Sequence, residues 1–166
     1  MQLSLLEIRT MFKIEKWFEN TILRTISRPV KPNEMKSASK LGKEMIKYIK
    51  NPDNGWVGLA APQVWHNIRV IVVSLLQDRN DENFSTIMMI NPELLYISEE
   101  TELDEEWCLS VPGEKGIVKR ASHIKLLYLD EKGNSKTLIL DHLRARIVQH
   151  EIDHLDWVLF TDKLEK

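Results

Sequence analysis

Near its end the chain carries Gln149-His150-Glu151-Ile152-Asp153-His154, and this hexad limits what the rest of the sequence can become. Histidines four residues apart stack on one helix face about one turn apart, so two imidazole nitrogens reach one cation while the adjacent glutamate projects toward a water on it. Leu143, Ile147, His150 and His154 recur at helical spacing, so the imidazoles continue an apolar face and are expected to point inward. Asp141 stands where a helix N-cap belongs, which sets the helix at residues 142–155. The structural alternative is a pair of core histidines satisfied by hydrogen bonds. Burying two imidazoles and a carboxylate without a cation or other partners is costly, so the whole motif on an inward face favours a metal.

Two ligands are too few, because a hydrolytic site of this type has three protein ligands and one position left to water. H-E-x-x-H peptidases take the third from a downstream acid. Here 12 residues follow His154, and Asp156, Asp162 and Glu165 among them lie too near the helix end to fold back. The single cysteine, Cys108, 42 residues before His150, offers itself instead. A free cysteine is commonly a small buried hydrophobe, so Cys108 gains weight only beside the histidine helix. Three classes remain open at this point: a hydrolase with a Cys/His/His metal, a zincin-like peptidase indifferent to Cys108, and a domain whose metal is purely structural.

The rest of the sequence sets the frame. Near-balanced charge, net -2 with neutral histidines, excludes the basic footprint of non-specific nucleic-acid binding. No apolar run reaches the roughly 18 residues of a membrane span, and the first 20 residues show no targeting pattern, so neither membrane nor nucleic acid is expected as a partner. One cysteine permits no intrachain disulfide and points to a reducing, cytoplasmic setting. Residues 1–33 read as irregular around Pro29 and Pro32, and an amphipathic helix is expected over 34–50, ended by Asn51-Pro52-Asp53-Asn54-Gly55. A small-residue loop follows at 58–63, then a buried strand at 68–73, strands at 85–90 and 94–98 around Asn91-Pro92, and a hairpin of 123–129 with 136–140. Strands first and a helix last argue for an α+β fold rather than βαβ units, in a single domain over residues 1–166.

Three segments together resemble the peptide deformylase family. Gly58-Leu59-Ala60-Ala61-Pro62-Gln63 is similar to its G-x-G-L-A-A-P-Q, Glu106-Trp107-Cys108-Leu109-Ser110 to its E-G-C-L-S, and His150-Glu151-Ile152-Asp153-His154 to its H-E-x-D-H. Asn20-Thr21-Ile22-Leu23-Arg24 with Ser27-Arg28-Pro29-Val30 is similar to the family's N-P-x-L-R…S-x-P-V stretch, and Ser110-Val111-Pro112-Gly113 to its S-V-P-G. The likeness covers about residues 12–162. It implies antiparallel or mixed β-sheets packed around a central C-terminal helix that bears the histidines, plus an N-terminal helix. It implies that Cys108, His150 and His154 bind one divalent metal per chain, Fe2+ as the native ion with Zn2+, Ni2+ or Co2+ as alternatives. Glu151 is then the general acid/base, and Gln63 and the Leu109 backbone N–H face the oxyanion. Val57, Gly58, Leu143 and Ile147 are the corresponding substrate-binding positions, the apolar ones walling a methionine pocket or serving as ordinary core. Asp153 is expected to orient a ligand or to pack the helix. The implied reaction removes the N-formyl group from the formyl-methionine of nascent polypeptides and releases formate. The implied protein is a monomer that meets the ribosome transiently. The residues after Phe160-Thr161-Asp162 leave little room for a further helix, and Met11 is a candidate start that would make residues 1–10 an extension.

The sequence departs from this pattern at its tryptophans. Trp56, Trp107 and Trp157 stand where the motifs carry glycine, and Trp65 and Trp17 fall at further frequent family glycines. The 6 Gly and 5 Trp together approach the roughly 12 glycines of an average chain this long. Either a UGA codon read as glycine in the source has been rendered as tryptophan, or the lineage has diverged toward a catalytically impaired deformylase-like protein. In both cases Trp157 is expected at a helix end with positive φ, and Trp107 is expected to crowd the cleft.

Overall fold

An unbroken apolar run such as Val70-Ile71-Val72-Val73 needs cover on both faces, because successive strand side chains point opposite ways. In the computed structural model, which describes residues 13–16 and 19–165, this run is strand β2 (Val70–Ser74), buried along its length. Val70 and Val72 enter one hydrophobic cluster, Ile71 and Val73 another. The first cluster is closed by helix α1 (Met35–Ile49), which sets Ala38, Leu41, Met45 and Ile49 against the sheet. The second is closed by helix α2 (His142–Leu155) through Ala145, Val148, Ile152 and Leu155. At about 25 cal/mol per Å2 of apolar surface removed from water, this two-sided burial is the main drive for the layered arrangement.

The sheet contains β1 (Gly58–Ala60), β2, β3 (Thr86–Ile97), β6 (His123–Leu129) and β7 (Ser135–Asp141), in the order β1-β2-β3-β6-β7 with every neighbour antiparallel. A separate two-stranded sheet pairs β4 (Thr101–Cys108) with β5 (Val111–Ala121). Helix α2 contacts both sheets. Its far side meets the β4–β5 hairpin, whose own small cluster joins Cys108, Val111 and Val118 to Leu159 and Phe160 from the segment after α2. The α+β class, the antiparallel sheets and the two helices therefore stand as expected.

Several local expectations shift. The strands expected at 85–90 and 94–98 form one 12-residue strand, Thr86–Ile97, in which Asn91 adopts φ 51° and the pairing with β6 shifts register between Ile90 and Glu93 and again between Leu94 and Tyr96. Residues 58–63 are not a plain loop: Gly58–Ala60 pairs with β2, and Ala61–Val64 winds into a 3-10 turn. The β4–β5 hairpin was not anticipated, since β4 is half-exposed and acidic and gives no apolar alternation. Asp141 takes the N-cap position with φ -131°, yet its carboxylate makes no cap hydrogen bond and accepts instead from Arg144 at 2.5 and 3.1 Å. The expected extension 1–10, the Met11 start and Trp17 lie outside the described residues.

The segment before α1 is irregular as expected and tied to the far end of α2. Leu23 is fully buried, and the Ser27 N–H donates to Leu155 O at 2.8 Å. Arg24 donates to Asp162 at 2.5 and 3.0 Å and to Trp157 O at 3.1 Å.

Asn91 joins this segment to the sheet: its Oδ1 accepts from Val30 N–H at 2.8 Å and its Nδ2 donates to Val30 O at 2.9 Å. Each bond contributes about 1 kcal/mol, and alanine in a left-handed conformation costs roughly 1–2 kcal/mol more. Asn91→Ala should lower the unfolding free energy in urea by about 3 kcal/mol, and Asn91→Gly, which loses the bonds but tolerates the backbone, by visibly less.

Candidate metal centre

His150 and His154 sit one turn apart in α2, their ring centroids 5.1 Å apart. Cys108 ends β4, and Leu109 and Ser110 make the turn into β5, so the hairpin tip is what carries the thiol to the helix. Cys108 Sγ lies 3.2 Å from His154 Nε2, and one donor atom from each of Cys108, His150 and His154 falls within 4.8 Å of the other two. Among the described residues no fourth His, Cys or carboxylate joins the set. The donors fit a cation: one soft sulfur and two imidazole nitrogens suit first-row ions such as zinc or ferrous iron and not magnesium or calcium, which prefer oxygen. His154 Nδ1 has no hydrogen-bond partner, so burial of this ring is compensated only on its Nε2 side. The downstream acids point elsewhere: Asp156 pairs with Arg69, Asp162 with Arg24 and Glu165 with Lys119.

Glu151 is buried, with Oε2 unpartnered. Burial pushes its pKa up to about 7, so this carboxyl can take and give a proton near neutrality. Its approach depends on Gly58. A Cβ at residue 58 would lie 2.2 Å from Glu151 Oε1, so the glycine makes room for the carboxylate itself. Gln63 is held by its Oε1, which accepts from Ala60 N–H at 2.8 Å. Its Nε2 donates to Ser110 Oγ at 3.1 Å and turns toward Cys108 Sγ at 3.7 Å, which aims the amide at the thiol.

Cys108 and His150 border a cavity of about 340 Å3 lined also by Val57, Gly58, Gln63, Leu109, Leu143, Ile147 and Glu151, which gathers every position named for catalysis or substrate, while His154 does not line it. Trp56 and Trp107 border the same cavity, and Arg79 reaches over the Trp107 ring with its guanidinium 5.1 Å from the centroid. Trp157 has the positive φ expected of it, 62°.

A buried ion network supports the site, and sequence reading passed over most of it. Glu106 accepts from Arg120 at 2.8 Å through two donors, from Arg146 at 2.7 Å, and meets His150 Nδ1 at 2.9 Å. Arg120 also pairs with Asp153, which receives Lys163 at 2.8 Å. Burial alone would raise the Glu106 pKa, but Arg120 and His150 outweigh it and hold the carboxyl well below the usual carboxylate range. Asp153 therefore acts on His150 at two removes, through Arg120 and Glu106. Arg146 also donates to the backbone oxygens of Val118 and Glu102 at 3.0 and 2.8 Å, fastening α2 to the hairpin. The one sequence signal was Arg120 and Arg146 set among apolar neighbours, with Glu106 the acid in reach of both. Glu106→Ala takes the carboxylate from two buried guanidinium groups, leaving Arg120 with Asp153 and Arg146 with backbone oxygens only, and should cost about 3–5 kcal/mol of stability in a urea titration. The milder Glu106→Gln should fold and weaken metal affinity about 10–100-fold in a chelator competition.

Comparison with known proteins agrees with this geometry. A family profile described as polypeptide deformylase matches residues 11–166. The peptide deformylase of Chlorobaculum parvum is 44% identical over 110 residues, 66% of this chain, and the aligned part spans 58% of that protein's length. That of Chlorobium phaeobacteroides is 36% identical over 149 residues, covering 90% of this chain and 78% of the relative. A Met-Ala-Ser-bound class I type b peptide deformylase from Acinetobacter baumannii superposes with a TM-score of 0.83 at 36% identity, covering 92% of this chain and 98% of the other. The peptide deformylase of Thermotoga maritima gives 0.82 at 34% identity, covering 94% and 99%. Sequence and overall fold are thus shared with these proteins over most of the chain, and the chain belongs to the polypeptide deformylase family.

Proposed function

We propose that this protein hydrolyses the formyl group from the N-terminal formyl-methionine of nascent polypeptides. The observation that carries the reading is the meeting of Cys108, His150 and His154 beside a cavity whose wall includes Cys108, His150, Glu151 and Gln63. Cys108, His150 and His154 would hold a divalent ion, which would supply Lewis acidity and make water a nucleophile near neutral pH. Glu151 takes the proton of the attacking water and delivers it to the departing amine, so that the formyl C–N bond breaks as a C–O bond forms. Gln63 Nε2 and the Leu109 backbone N–H donate to the carbonyl oxygen as it gains charge, each contributing about 3 kcal/mol in the transition state. Val57, Leu143 and Ile147 present the apolar wall for the methionine side chain, and Gly58 keeps Glu151 within reach. The products are formate and a peptide with free N-terminal methionine. The tripeptide in the Acinetobacter structure, Met-Ala-Ser, is what deformylation of formyl-Met-Ala-Ser leaves behind.

The donor set supports ferrous iron as the native ion, with zinc, nickel or cobalt able to replace it. The reading extends to a single-domain cytoplasmic monomer that meets its substrate at the ribosome. It is supported by the family's reaction and by the absence, among the described residues, of a helix long and apolar enough to cross a membrane. A zincin-type peptidase is disfavoured, because the third donor beside the histidines is the thiol and the downstream acids are engaged in ion pairs.

Metal-loaded protein should release formate from N-formyl-Met-Ala-Ser and leave internal peptide bonds intact. Glu151→Gln should keep its metal and lose about 10²–10⁴ in kcat. Cys108→Ser should lose both metal affinity and formate release; a variant that keeps peptide cleavage would establish the peptidase instead. Gly58→Ala, whose Cβ displaces Glu151 Oε1, should retain metal by elemental analysis while kcat falls at least about tenfold.

A further inference from the structure

Two helical turns of this chain end in the same way. The 3-10 turn Ala61–Val64 closes with His66 N–H donating to Ala61 O at 3.0 Å and Trp65 N–H to Pro62 O at 3.4 Å. Helix α2 closes with Val158 N–H donating to Asp153 O at 2.9 Å. Each long bond spans five residues back, the mark of a Schellman ending, and the geometry demands a left-handed backbone at the residue before the last donor. That residue is Trp65 at φ 66° in one and Trp157 at φ 62° in the other. Glycine is the usual occupant, because any Cβ is crowded there.

The other two non-glycine residues with left-handed φ among the described residues make polar contacts through their side chains. Asn91 clasps both backbone groups of Val30, and His142 Nδ1 meets Glu102 Oε1 at 2.5 Å. Trp65 and Trp157 are each 53% exposed, and the Lys13 ammonium lies 6.0 Å from the centre of the Trp65 ring. Two more tryptophans stand at the cavity mouth. Trp107 is 49% exposed beside the ligand cysteine, and Trp56 follows Gly55, itself at φ 64°. All this occurs in a chain with 6 Gly and 5 Trp.

We infer that positions 65 and 157 are glycine positions of this fold, that Trp56 and Trp107 at the cavity share their origin, and that the polypeptide made in its own cell carries glycine at all four. UGA is the codon that accounts for it: genetic codes differ in its meaning, and one misassignment puts tryptophan at every such site and changes nothing else. Trp17, outside the described residues, falls under the same rule. Glycine at 65 and 157 releases the two left-handed turns. At 56 and 107 it removes two indoles from the entrance an extended peptide must pass. The stability and mass arguments are independent of the proposed activity; only the entrance argument rests on it.

Three measurements test the inference. In the gene, UGA is expected at these positions, and UGG at most of them overturns it. In protein purified from the source cells, the tryptic peptide covering residues 147–163 should be lighter by the difference between tryptophan and glycine; the tryptophan mass overturns the inference. In the recombinant tryptophan protein, Trp65→Gly and Trp157→Gly should each raise Tm by about 2–4 °C. Trp65→Ala and Trp157→Ala should gain less, because alanine keeps the crowded Cβ. Equal gains for Ala and Gly, or none, overturn the backbone argument. Trp56→Gly with Trp107→Gly should raise kcat/KM on formyl-Met-Ala-Ser at least about tenfold with metal content unchanged. An unchanged kcat/KM overturns the entrance argument while leaving the mass and Tm results to stand by themselves.

Discussion

Glu106 is the carboxylate on which the centre hangs. It is buried on β4, two residues before the ligand cysteine, and it meets Arg120 from β5, Arg146 from α2 and His150 itself. A buried charge of this kind is costly unless its lone pairs are filled, and here donors from three directions fill them. The same contacts fix how the hairpin tip sits on the helix, and hence where Cys108 meets the imidazoles. Removing the carboxylate would leave Arg146 without a counter-charge in the interior and Arg120 with Asp153 alone. The geometry of the ligands and the stability of the hairpin thus rest on one group.

The second constraint is space. Helix α2 is buried on nearly every side, and its polar residues are accommodated by particular partners rather than by water. Gln149 binds the backbone of Ala121 in both directions, Arg146 binds Glu106 and two backbone oxygens, and Glu151 fits only because residue 58 has no side chain. A central helix with this many inward polar groups carries little amphipathic signal, because burial and polarity no longer separate by face. What identifies it in the sequence is its chemistry, two histidines and a glutamate at fixed spacing.

Legibility followed from how local each cause was. Helix α2 was readable, its start fixed by Asp141 and its extent approximately by the histidine spacing, and β2 was readable within a residue or two because a buried apolar run needs no partner to be recognised. The β4–β5 hairpin was not readable. Its strands are acidic and basic on the outside, and what holds them is their pairing with each other and the ion network within. The three side chains that the structure brings together as candidate metal donors were the ones named, because only one cysteine exists to choose. Arg120 and Arg146 were missed because an arginine in a strand or helix reads as solvated until its partner is seen. Asp153 was placed behind the ligands in general terms, and the path through Arg120 and Glu106 appears only in three dimensions.

By itself the sequence determined the chemistry available: one thiol, two imidazoles at i and i+4, a glutamate between them, and small residues at 58–63, together with the helices and the antiparallel class. These follow from residue type and short-range spacing, which a linear chain states directly. The tertiary structure decided the distances that turn the inventory into a site. It brought Cys108 to 3.2 Å from His154, set Glu151 against the Gly58 backbone, and placed two tryptophans in left-handed turns that favour glycine. Such facts depend on contacts between residues far apart in the chain and on backbone angles set by packing, and neither is encoded at a single position.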